Sequence, residues 1–157
     1  MYPEAGPHGR SALLSLRSFW SFMVAASLAL AGLGLFASPF VAPSGTATGT
    51  PATTALAGLG VLCAAATIWL DRALLSPGRI ATRVPIPDPS LVRRHLLLGH
   101  LALWSLAELP AVLGFAQLLL DGTLGAHLAL CAVSLAVLTL LMPTRRRITA
   151  RMEAVLR

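Results

Sequence analysis

The chain has 157 residues, 56% of them apolar and only 11% charged, against about 25% charged in an ordinary soluble domain. With a mean hydropathy of +0.78, this excludes a soluble enzyme and places the chain among integral membrane proteins. The formal charge is +6 and all twelve basic residues are arginine. In a soluble protein such a balance would suggest nucleic acid, but these arginines flank apolar runs, so topology accounts for them and no nucleic-acid partner is expected.

In chain order, residues 1–18 read as a cytoplasmic N-terminus carrying Arg10 and Arg17, followed by a first span at 19–41. The apolar run is longer than the 7–15 residues of a signal-peptide core, although the small residues of "FASPFVAPSG" keep cleavage as an alternative. After the uncharged connection "APSGTATGTPAT" comes a second span at 53–70. Residues 71–95 form a cytoplasmic loop, with five arginines and with Pro77, Pro85, Pro87 and Pro89. Its "VPIPDP" stretch is predicted to be extended and polyproline-like. Asp88 followed by Pro89 has the form of a helix start, an N-cap and then a proline in the first turn. A third span covers 96–120. The tight turn "DGTLG" leads to a fourth at 124–142, which Pro143 and Arg145 stop.

The tail, 143–157, is compatible with a helix, because Ile148, Met152, Val155 and Leu156 fall on one face. Arg145, Arg146, Arg147 and Arg151 are then expected to meet an anionic lipid surface; the alternative is a solvated anchor that frays. Lipid offers the backbone no hydrogen-bond partners, so the spans should be helices. Every arginine falls on one side of a four-span topology, which the positive-inside rule assigns to the cytoplasm. The expected fold is therefore all-α: one domain, an integral membrane four-helix bundle, N-in/C-in, with a short basic amphipathic C-terminal tail. Its expected partner is the lipid bilayer, that of a bacterial inner membrane.

The most informative residue is Glu108, in "WSLAELPAVLGF". It is the middle residue of a span of about 25, so at 1.5 Å per residue it lies about 18 Å from either end. A charge at that depth costs about 2.5–3.5 kcal/mol even on the insertion scale. Glu108 is therefore expected to face the bundle and keep its proton. Depth matching offers Ser27, Cys63, Thr67 and Ser134 as neighbours, with Trp104 and Ser105 one turn back and Gln117 on the opposite face. Pro110 lacks an N–H, which frees the carbonyl of Leu106 and tends to kink the helix. Glu108, Ser105, Leu106, Pro110, Ser134 and Ser27 thus form a candidate proton- or ion-binding set, and helix packing by a neutral acid is the competing reading.

Other residues have plainer readings. Trp20 and Trp69 suit an aromatic belt at the cytoplasmic surface. His95 and His100 read as interfacial and His127 as near the opposite surface. Cys63 and Cys131 lie in no CxxC pair and read as small fillers. Ala25, Ala29, Gly32, Gly34, Gly58, Gly60, Ala64 and Ala66 make faces that let helix backbones approach, within the bundle or in a homo- or hetero-oligomer. No HExxH, GxSxG or P-loop pattern occurs, so no catalytic residue, metal or cofactor is expected.

The third span, "SLAELPAVLGF", with "LDGTLG" and "MPTRRRI" after it, resembles a loose group of small uncharacterised bacterial membrane proteins. These share four helices, an "ALxExPAxxG" third helix, a short glycine turn and a Pro-Thr/Ser-basic ending. The resemblance covers the third and fourth spans and implies a fold rather than an activity. More locally, "SLAELPAVLGFAQLL" is similar to the carboxylate helix of the ATP synthase proteolipid, subunit c. That likeness covers one helix of four and implies Glu108 as an ion carrier, with Ala111 and Gly114 at its small positions. The expected function is a non-enzymatic component that acts through helix association; the alternative is proton or cation binding at Glu108.

Overall fold

The computed structural model describes residues 7–41, 51–83 and 88–156. They are helical with short joints. α1 is Pro7–Ala37, extended by a 3₁₀ turn at Ser38–Phe40; α2 is Pro51–Leu74, α3 Pro77–Arg83, α4 Pro89–Asp121, α5 Leu124–Leu140 and α6 Arg145–Leu156. Three helices are long and apolar enough to cross a membrane. α5 makes a fourth when paired with α6, from which it is bent by 53°. The connection at 42–50 and most of "VPIPDP" lie outside the described residues.

The joints follow from local chemistry. Asp88 caps α4 as its sequence implies: Oδ1 accepts from the Ser90 amide at 2.8 Å and Oδ2 from the Ser90 hydroxyl at 2.8 Å. α4 ends at Gly122, whose φ of 72° is left-handed, and its amide donates to the Leu118 carbonyl at 2.8 Å. Glycine takes that conformation without a Cβ penalty. Thr144 caps α6, its Oγ1 accepting from the Arg147 amide at 3.3 Å.

Within the stretch at 71–95, α2 continues to Leu74, α3 occupies Pro77–Arg83 and α4 begins at Pro89. α4 runs on to Asp121 with Pro110 buried inside it. One expectation needs correction. The tail is helical but docks on the protein. α6 packs on α3 and α4, with Ile148 buried and Met152 and Val155 half-buried in the same apolar cluster as Ile80, Leu75 and Leu96.

α4 is the central helix and packs on α1, α2 and α5. α4 and α5 face each other across the short diagonal of the bundle, while α1 and α2 occupy the far corners without substantial mutual contact. Close approach needs small residues here. A Cβ on Gly114 would sit 2.9 Å from that of Leu130, and one on Gly60 2.9 Å from Leu130 Cδ2.

Candidate functional site

Glu108 points into the bundle and is 9% exposed. Ser27 of α1 and Ser134 of α5, both fully buried, close over it. Ser27 Oγ lies 3.0 Å from Glu108 Oε1 and 3.2 Å from Ser134 Oγ, and the Ser134 hydroxyl donates to the carbonyl of Ala107. The cluster thus ties α1, α4 and α5 together at one level.

A count of protons bears on its state. A serine has one hydroxyl proton, and Ser134 gives its own to Ala107. If Glu108 were ionised, Ser27 would donate to it, and the contact between the two serines would hold no proton. If Glu108 is protonated, it donates to Ser27, Ser27 to Ser134 and Ser134 to Ala107. Only the neutral acid fills all three contacts, and in an apolar interior an unfilled polar contact is costly.

The remaining candidates fall unevenly. Pro110 is buried, and its backbone faces Gly60 of α2, where a Cβ would lie 3.5 Å from the proline Cα. Leu106 is half-buried, but the serine hydroxyl goes to the carbonyl of Ala107, one residue beyond the carbonyl that the proline frees. Ser105 is exposed and takes no part. Thr67 is buried and donates to its own helix at Cys63, 2.7 Å. Gln117, on the opposite face of α4, is buried as well.

His127, in the first turn of α5, is fully buried. Its Nε2 lies 3.2 Å from the Leu30 carbonyl on α1, and Cys131 Sγ is 3.7 Å from its ring nitrogens. Gly34 makes the room: a Cβ there would come within 2.1 Å of His127 Nε2.

A second polar cluster was missed from sequence. Arg151 of α6 is not spread on a lipid surface; its side chain is 13% exposed and reaches Asp71 at the end of α2. Its Nη2 donates to both carboxylate oxygens, at 3.0 and 2.9 Å, while Nη1 lies 3.5 Å from His100 Nε2. His100 is 2% exposed. Its Nδ1 lies 2.7 Å from the Leu96 carbonyl, and Trp104 packs against the ring at 5.5 Å. A local signal existed. Arg151 stands at i+3 from Ile148 and i+4 before Val155, within the apolar face of the tail.

The other tail arginines differ. Arg145 and Arg146 are exposed, and half-buried Arg147 donates from Nη1 to the Leu140 carbonyl at 3.0 Å. Two tryptophans serve the same helix end: Trp20 donates to the Leu138 carbonyl at 2.8 Å and Trp104 to that of Leu141 at 3.4 Å. Trp20 is therefore more than a belt residue, whereas Trp69, 68% exposed, has the exposure of one.

Comparison with known proteins finds no matching family model, no matching curated protein and no matching solved structure.

Proposed function

We propose that this chain is a non-enzymatic component of the cell membrane. In this reading it spans a bacterial inner membrane four times, with both termini and α3 cytoplasmic, and acts by associating with other membrane chains. The observation that carries the reading is how α1 uses its small residues. Gly34 is taken up by the chain's own bundle, but Ala25, Ala29 and Gly32 are exposed at i, i+4 and i+7. Among the described residues, no atom beyond its own stretch of helix comes within 4 Å of the place a Gly32 Cβ would take. In lipid, close backbone packing over small residues drives helices together, since apolar burial alone does not. Glu108 is engaged inside its own bundle and is not needed for docking. Crosslinking and native mass spectrometry in mild detergent should detect an oligomer or a co-purifying membrane chain, and Gly32→Leu should weaken it at least tenfold. A strictly monomeric chain without a companion would sink this reading.

The proton count favours a second reading, in which Glu108 stores or passes a proton. The cluster's oxygens lie within hydrogen-bonding distance of one another. In that case Glu108→Gln preserves folding and abolishes a pH-dependent phenotype. An unchanged phenotype leaves Glu108 with packing alone.

A further inference from the structure

We infer that the docking of α6 is a proton-controlled latch built from His100, Arg151 and Asp71: closed while the His100 ring is neutral, released when the ring takes a second proton.

The geometry defines the closed state. The Leu96 carbonyl can only accept, so the 2.7 Å contact requires a hydrogen on Nδ1 of His100. A neutral ring with that hydrogen carries a lone pair on Nε2, which faces Arg151 Nη1 at 3.5 Å. A guanidinium has donors and no acceptor. A second ring proton would set N–H against N–H and one cation against another. Trp104 packs on the ring and restrains it from turning away.

The charged groups that act on His100 are Asp71 from α2 and Arg151 and Arg147 from α6. Asp71 offers the imidazolium little relief, because Arg151 Nη2 already engages both its oxygens. Arg147 adds repulsion. With a neutral ring, the Asp71–Arg151 pair is balanced; with a charged ring, the buried cluster holds an excess cation.

α6 is the element free to respond. The four long helices bury extended apolar faces against one another. α6 is a short arginine-rich helix beyond the bend at Pro143, held by Ile148, Met152 and Val155 besides Arg151. The direction of the effect follows from linkage. The released state binds the extra proton and the docked state does not, so acid favours release. For one histidine of ordinary pKa about 6.5 in the released state, the released-to-docked ratio rises about thirtyfold from pH 8 to pH 5.

Spin labels at Ala81→Cys on α3 and Ala154→Cys on α6, both exposed positions, report the docking by pulsed dipolar spectroscopy. The full chain is used in nanodiscs, with Cys63 and Cys131 replaced by alanine. A narrow distance distribution is expected at pH 8. At pH 5 a longer, broader component should appear, with the ratio rising about thirtyfold. His100→Gln keeps an acceptor toward Arg151 without titrating, and should stay narrow at both values. Arg151→Met should be broad at both. A distribution that does not change between pH 8 and pH 5, acid release in His100→Gln as in the parent chain, or a narrow Arg151→Met would each overturn the latch.

Discussion

At the scale of single residues, the buried acid is held by a chain of hydroxyls. Ser27 links its two ends, standing 3.0 Å from Glu108 Oε1 and 3.2 Å from Ser134 Oγ. Ser27→Ala removes the acceptor for the acid's proton and the donor to Ser134 in one step. It should destabilise the bundle by about 1–3 kcal/mol, the cost of leaving a buried polar group unpaired. Glu108→Gln should cost much less, because the amide can still donate to Ser27. Unfolding in mixed detergent micelles measures both. Infrared difference spectra between the parent and Glu108→Gln at neutral pH should show a protonated carboxyl C=O band that the variant lacks. A carboxylate band in its place would refute the proton count, and a stability loss in Glu108→Gln equal to that in Ser27→Ala would refute the donor argument.

At the scale of elements, the end of α5 shows what was legible in the sequence and what was not. Pro143 as a stop, Asp88 as a cap and Gly122 as a turn are local features, each set by a residue's own backbone preference, and a single sequence carries them. What satisfies the last carbonyls of α5 is not local: Trp20 comes from another helix 118 positions away to reach Leu138. A helix end must find partners for those carbonyls, but nothing in "TLLMPT" names them. Depth matching had a similar limit. It put Ser27, Thr67 and Ser134 near the height of Glu108, yet height carries no direction around a helix, and Thr67 bonds to its own helix at Cys63; Ser105, chosen as one turn back on α4, is exposed. Arg151 was legible in principle, as a charge set within an apolar stripe. The capping role is testable. Trp20→Phe keeps the ring and removes the N–H, and should cost about 0.5–1.5 kcal/mol. Trp69→Phe, at an exposed position, should leave stability within about 0.5 kcal/mol. Equal effects in the two variants would mean that Trp20 acts by ring burial and not by capping.

At the scale of the whole molecule, the cross-links of the bundle gather one kind of end in one place. Trp20 near the start of the α1 apolar run bonds to the last turn of α5. Trp104 in α4 bonds to Leu141 just beyond that turn. Arg151 ties α6 to the end of α2 and to His100 in α4. The ends that converge are the ones that carry the arginines: Arg17, Arg72, Arg93, Arg94 and those of α3 and α6. The sequences that join the other ends, "APSGTATGTP" and "GT", hold none. Arginines near span ends are retained on the cytoplasmic side, which sets orientation. The expected topology therefore has α3 and α6 inside and the "TATGT" segment outside. Alkaline phosphatase fused within "TATGT" should be active and green fluorescent protein there dark, with the reverse pattern at Arg157. Since twelve arginines stand against none, neutralising Arg145 and Arg146 together should leave this pattern unchanged. Inversion by that pair alone would show that the tail sets the orientation, and a fluorescent "TATGT" fusion in the parent chain would reverse the assignment of the two faces.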